Sequence, residues 1–459
     1  MVSLTALKPI ISMLPEVEVP VQKPNLKTRL KWTGFALIFF FVMGIITPVG
    51  IDKESQRSGF LKNIELITAS QIGTLGTLGI GPIVMASIIL QLLMGAGVIK
   101  VNLQDPEQKK LFQGTQKLGA IAFAFFEASI YVMSGYVPAI PGGINALLLV
   151  IQLAFAAIVL MYLDEVVSKY GIGSGVGLFI AAGVSLTIVW GAFSWVNQGG
   201  QFNGLVLQLI QGLGSGAIPS TALFPILFTV VVFLIVVFVE SMKIEVPLTF
   251  GRIRGVGARY PLKFLYVSNI PVILAAALLA NVSLWGVALE NSGFPLLGHF
   301  SQGQPVDGLA FYLQTPYAYL GTPERAAVTL GSFNEVLNII IFTAAMLGLC
   351  VLFGKFWVEM SNMGPRAVAS QLQNIGLHVP GFRRDPRVIE SVLERYIPVI
   401  TILGSLAVGL LAVLADLTGA LGTGTGILLT VGIVYRFYEE LASQQAFESM
   451  PALREFMGG

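Results

Sequence analysis

The chain reads as an all-α polytopic membrane protein, and three observations lead there. Hydrophobic residues make up 55% of its 459 positions and charged ones only 11%, too apolar a balance for a soluble surface of this size. Ten apolar windows of spanning length follow one another along it. Its lysines and arginines fall almost wholly on one side of those windows.

The windows lie near 31–49, 72–97, 115–137, 143–163, 171–193, 220–242, 261–289, 333–359, 395–415 and 421–441. With the N-terminus in the cytoplasm, 23 of the 27 Lys and Arg lie inside, leaving only Lys53, Arg57, Lys62 and Arg325 outside. That asymmetry fits the positive-inside rule and puts both termini in the cytoplasm. The expected division is a tail at 1–30, a first half at 31–195 (spans 1–5), a second half at 196–442 (spans 6–10) and a tail at 443–459. Met1–Ile10 lacks the basic-then-apolar order of a cleavable signal peptide. Leu4, Leu7, Ile10, Ile11 and Leu14 form one face of a short interfacial helix, or else belong to a loosely ordered tail.

Span 2 is the least ordinary element. It opens with Gly73, Gly76, Gly79, Gly81 and Pro82, residues that weaken a helix facing lipid. Such a backbone belongs against other helices or along a water-filled cavity. In span 3, Glu127 is the clearest ionisable residue deep in a span. A charge there costs about 2.5–3.5 kcal/mol on insertion scales, so the carboxyl faces the interior or is protonated. It is either satisfied by a neighbouring hydroxyl or amide, or part of a polar contact that a moving helix can break.

The spans divide as five plus five. Gly81-Pro82-Ile83-Val84 in span 2 has a counterpart in Ile270-Pro271-Val272-Ile273 of span 7, and Gly173–Leu178 opening span 5 has one in Gly424–Leu429 opening span 10. An odd number of spans per half inverts the second half, an arrangement that often encloses a central pathway.

Two cytoplasmic loops, 243–260 and 360–394, hold clustered charge. Arg252, Arg254, Arg259 and Lys263 mark the first; Arg383, Arg384, Arg387 and Arg395 mark the second. Such residues serve as topology determinants near anionic lipid or as a docking surface for something anionic such as RNA. The length of 360–394 favours docking.

Chemistry-bearing motifs are sparse. His299 and His378 lie in loops, Cys350 lies in an apolar run, and no zinc-protease or phosphate-loop pattern occurs. An enzyme and a cofactor are therefore not expected. An ion-coupled secondary transporter would need a compact polar midplane site. A membrane insertase without a continuous pore is the other alternative.

Several ordered motifs are more specific: Ile67–Leu75, Leu78-Gly-Ile-Gly-Pro-Ile-Val84, Leu111–Leu118, Tyr170-Gly-Ile-Gly-Ser-Gly175, Val267-Ser-Asn-Ile-Pro-Val-Ile273 and Gly424–Thr430. Together they resemble the SecY family, nearest to its archaeal and eukaryotic members. The resemblance implies ten helices in two inverted five-helix halves, a clamshell around a central hourglass pore. It implies a protein-conducting channel that passes unfolded polypeptides across the cell membrane and releases hydrophobic segments sideways into membrane lipid. It assigns a pore ring to Ile80, Val84, Val176, Ile180, Ile273 and Leu429. It makes 59–67 a plug with Phe60, Leu61, Ile64 and Ile67 on its apolar face. Met85, Glu127 and Asn281 map to the lateral gate, Met85 standing where many relatives carry a hydroxyl, with a Glu127–Asn281 contact still available. Arg252, Arg254, Arg259, Lys263, Arg383, Arg384 and Arg387 map to docking of the ribosome. Implied partners are a SecE-like gamma subunit, a small beta subunit and nascent polypeptides bearing signal sequences.

Overall fold

A computed structural model describes residues 7–449 except 23, 53–68, 100, 102–104, 196, 199–200, 217, 251–256, 302–303, 375–376 and 379–385. Every apolar window carries a long helix: α1 (Leu26–Met43), α2 (Gly81–Gly95), α3 (Pro106–Met133), α4 (Gly143–Tyr170), α5 (Gly175–Phe193), α6 (Ser220–Ser241), α7 (Ile270–Asn291), α8 (Phe333–Met360), α9 (Pro386–Leu417) and α10 (Gly424–Ser449). Among the described residues, seven of these are long and apolar enough to cross a membrane by length and composition. The others, α1, α3 and α10, carry charge within their length: Lys27, Arg29 and Lys31; Glu107, Lys109, Lys110, Lys117 and Glu127; Arg436, Glu439 and Glu440. An all-α polytopic membrane protein results.

Helix starts follow local chemistry. Proline occupies the second position of α2 and α7 and the first of α3, where the missing N–H has no intrahelical partner to lose. Asp105 caps α3 by accepting from Glu107 N at 3.1 Å. Span 2 is entered through a 3-10 turn, Leu75–Thr77, capped by Thr74, and Gly79 has a positive φ of 52°.

The helix pairing pattern repeats. Within the first half α1 packs on α4 and α5, α2 on α3, α3 on α4 and α4 on α5. Adding five to each number gives α6 on α9 and α10, α7 on α8, α8 on α9 and α9 on α10, and every one of these pairs is in contact. Between halves, α2 meets α7, α5 meets α10, and α3–α7 is matched by α8–α2. A single large core runs through both halves, drawing buried side chains from all ten long helices except α3.

Two departures from the sequence reading lie in the two basic loops. Loop 243–260 begins as a strand, β1 (Lys243–Phe250), which pairs antiparallel with β2 (Gly257–Lys263). Thr249 and Phe250 pair in turn with β3 (Leu377–His378), so the two basic loops share one three-stranded sheet in the order β2-β1-β3. The alternation of Ile244, Val246, Leu248 and Phe250 is the period-2 signal for that strand. Loop 360–394 also holds a helix, Pro365–Asn374, and Val368, Ala369 and Leu372 from it join Leu262, Tyr266, Val267, Ile389 and Leu393 in a small core under the sheet.

The described part of the N-terminal segment is tied down rather than loose. Its one helical turn, Lys8–Ile11, buries Ile11 against Gly114 of α3, where an added Cβ would lie 2.2 Å from Ile11 Cγ2. Leu4 of the expected apolar face lies outside the described residues. Lys117 of α3 donates to Pro15 O (2.6 Å) and Glu165 (2.8 Å), while Lys169 donates to Val17 O and Glu165. Glu107 draws the Lys8 ammonium into a 2.7 Å pair and raises its pKa. The segment thus straps α3 to the C-terminal end of α4.

Candidate pore and docking platform

Four helices, α2, α5, α7 and α10, contribute residues at or near their N-terminal ends to the large core. Ile80 is the N-cap of α2 and Val84 its fourth residue; Ile273 is the fourth residue of α7. Val176 and Ile180 are the second and sixth of α5, and Leu429 is the sixth of α10. At about 1.5 Å rise per residue, all six sit within about 8 Å of a helix start. Ile80, Ile180 and Leu429 are fully buried, Val84 and Ile273 nearly so, and half-buried Val176 packs against the same core.

Physical chemistry suits this set to a seal. A polypeptide crossing hydrocarbon would have to strip water from every peptide group, at several kcal/mol each. A short dry constriction between wet vestibules limits that cost, and aliphatic side chains exclude ions without binding a passing chain.

Asn269 is a polar fixture beside the set that the sequence reading did not single out. It is the buried N-cap residue of α7, and its Nδ2 donates to Leu428 O on α10 at 3.1 Å. Gly432 makes room for it: a Cβ there would lie 1.9 Å from Asn269 Nδ2. The start of α7 is thereby pinned next to Leu429. The signal available in sequence was an asparagine directly before an Ile-Pro helix start.

The expected gate residues are all buried: Met85, Glu127 and Asn281. The structure does not join the last two. Asn281 donates to Ala277 O of its own helix at 2.9 Å, and Glu127 Oε1 has no hydrogen-bond partner. The span 2 to span 3 polar link lies elsewhere, where Gln116 Nε2 donates to Ser87 Oγ.

On the platform, Arg252, Arg254, Arg383 and Arg384, like the plug residues Phe60, Leu61, Ile64 and Ile67, lie outside the described residues. Arg259 stands on β2 opposite Pro247, and Arg387 is exposed at the start of α9. Lys263 is committed internally. It pairs with Glu439 of α10 and lies 5.4 Å from the centre of the Tyr435 ring. Next along α10, Glu440 pairs with Arg29 of α1 at 2.5 Å, and Arg29 also reaches Gly171 O at 2.7 Å. This stretch of α10 therefore joins the hairpin base to the opposite half.

The comparisons with known proteins agree with one another. A family model described as SecY matches residues 74–438. The protein translocase subunit SecY of Methanocaldococcus jannaschii is 47% identical over 449 residues, covering 98% of each chain. A solved structure described as a protein conducting channel superposes with a TM-score of 0.87 at 47% identity, covering 97% of this chain and 99% of its own. Sec61 from a canine ribosome-channel complex superposes with a TM-score of 0.84 at 46% identity, with the same coverage.

Proposed function

The chain belongs to the SecY family, and from that premise we propose the route by which it works. It is the channel-forming subunit of a protein translocase, not an enzyme: unfolded polypeptides pass through it, and apolar segments leave it sideways into lipid. The route runs between the two five-helix halves, through the ring of Ile80, Val84, Val176, Ile180, Ile273 and Leu429. What supports this is their shared position: six aliphatic side chains, from four helices that start at the same central core, one pair of helices from each half. Residues 59–67 act as the plug on the external side, and the seam where α2 and α3 meet α7 and α8 acts as the lateral gate.

The strand pairing of β1 with β3 favours one cytoplasmic docking face over two. Its arginines meet the ribosome through phosphate contacts, so binding weakens as salt rises. The membrane is the cell membrane, with both termini cytoplasmic. A SecE-like subunit and a small beta subunit complete the channel, and signal sequences engage the gate.

Reconstituting the complete complex in sealed vesicles tests the reading. A signal-bearing polypeptide should enter and become protease-protected, while a small solute taken up by secondary transporters should not accumulate. Solute accumulation without polypeptide entry would contradict it.

A further inference from the structure

Helices α5 and α10 begin in the same way. One opens Ser174-Gly175-Val176-Gly177 and the other Thr423-Gly424-Thr425-Gly426. In each, the N-cap hydroxyl accepts from the N–H three residues on: Ser174 Oγ from Gly177 at 3.2 Å, Thr423 Oγ1 from Gly426 at 3.0 Å. Each start also receives a carboxylate from the end of the helix before it. Asp164 Oδ1, on α4, accepts the Val176 N–H at 2.8 Å. Asp416 Oδ1, on α9, accepts the Thr425 N–H at 3.0 Å, and its Oδ2 accepts the Thr425 hydroxyl at 2.5 Å. The N–H of Gly175 and of Gly424 is directed at the same carboxylates.

Glycine at the first helical position lets the acid approach. A Cβ on Gly175 would lie 2.4 Å from Asp164 Cα, and one on Gly424 would lie 2.1 Å from the Ala415 carbonyl carbon. The match sets the register between halves: Val176 answers to Thr425, and Ile180 answers to Leu429. This shifts by two residues the sequence alignment of Gly173 with Gly424.

Helix N-termini leave backbone N–H groups without intrahelical partners, and lipid offers them nothing. A carboxylate supplies two acceptors and complements the helix dipole. Asp416 is buried. Tyr317, on the external loop, closes the same corner by donating to Ala420 O at 3.2 Å, and burial pushes its hydroxyl pKa up to about 12, keeping it a donor. Because α5 and α10 also pack on each other between the halves, something must hold each to its own half.

We propose that Asp164 and Asp416 are a matched pair of positioning residues for the ring, one per half. Each locks a ring-bearing helix, α5 or α10, to the helix before it and so sets the level and rotation of Val176 and Ile180, or of Leu429. By the topology above, Asp164 acts from the cytoplasmic side and Asp416 from the external side. The inference rests on the ring reading and goes beyond it.

The test is resting ion conductance of the complete complex in planar bilayers, with translocation of a signal-bearing polypeptide measured in parallel. D164A and D416A should raise resting conductance several-fold while translocation persists. D164N and D416N should hold it near wild type, since the amide oxygen still accepts the N–H and the new amide at position 416 can donate to the Thr425 hydroxyl. Ile180→Gly combined with Leu429→Gly serves as the ring control. A leaking control beside tight, assembled alanine variants overturns the inference; a tight control overturns the ring reading itself. If the alanine variants do not accumulate, D164E and D416E carry the test. They keep the charge but lengthen the side chain, and should leak more than the asparagine variants; equal conductance overturns the proposal.

Discussion

The helix starts around the proposed ring and the platform built on the β2-β1-β3 sheet use polarity in opposite ways. At the helix starts around the proposed ring, short polar side chains are turned mainly on the backbone: Ser174, Thr423, Asp164 and Asp416 accept helix N–H groups, and Asn269 donates to a helix carbonyl. The six residues proposed as the ring are all aliphatic. On the platform, long charged side chains serve as well, Lys263 pairing with Glu439 and Arg387 standing exposed at the start of α9. The lesson is that polar residues near a conducting path can hold its walls rather than touch its cargo, whereas those outside the membrane can do both.

The comparison breaks most readily at the ring. Deleting 59–67 should leave a folded channel with raised resting ion leak, read in planar bilayers; unchanged conductance would separate that segment from the seal. Next in size is the platform. Charge reversal of Arg252, Arg254 and Arg383 should abolish salt-sensitive ribosome binding, with the log–log salt slope falling by about one for each phosphate no longer neutralised. Binding that ignores salt would refute the electrostatic account.

A packing test follows. Gly432→Ala should expel the Asn269 amide and destabilise the detergent-purified complex by about 1–3 kcal/mol, whereas Gly348→Ala, with nothing within 4 Å of the added Cβ, should leave thermal unfolding unchanged. Replacing Glu127 or Asn281 by Leu should shift the signal hydrophobicity needed for insertion, scored on a graded signal series. Smallest is Lys263→Met. As a partly exposed pair, Lys263–Glu439 is worth about 0.2–1 kcal/mol, so the variant should lose little stability and keep the salt slope of ribosome binding. A changed slope would return Lys263 to the docking face.

Much of this was legible in the sequence because hydrophobic length is a strong signal. All ten windows carry helices, even where Glu127 or the Lys27–Lys31 cluster dilutes the apolar run. The Pro82 and Pro271 match held to the residue, since proline fixes its place in the first turn of a helix. The Gly173–Gly424 match did not, because glycine is abundant and marks no single position; the caps from Asp164 and Asp416 set that register. Both acids stand close in sequence to the turn they cap, yet a lone aspartate near a span end reads as a boundary charge. The β1–β2 hairpin was hidden among loop residues by its glycines and by Pro247. Pairing of β3 with β1 joins segments more than a hundred residues apart, beyond any local pattern.

The central claim is that a translocating chain passes the six-residue ring. Cross-linking at single cysteines tests it most directly. In a Cys350→Ser background, cysteines are placed in turn at Ile80, Val84, Val176, Ile180, Ile273 and Leu429, and at exposed Phe233 of α6 as control. A polypeptide arrested in transit, carrying one cysteine in its mature region, should form disulfides with the ring positions and not with position 233. Adducts at position 233 equal to or greater than those at the ring positions would contradict the account.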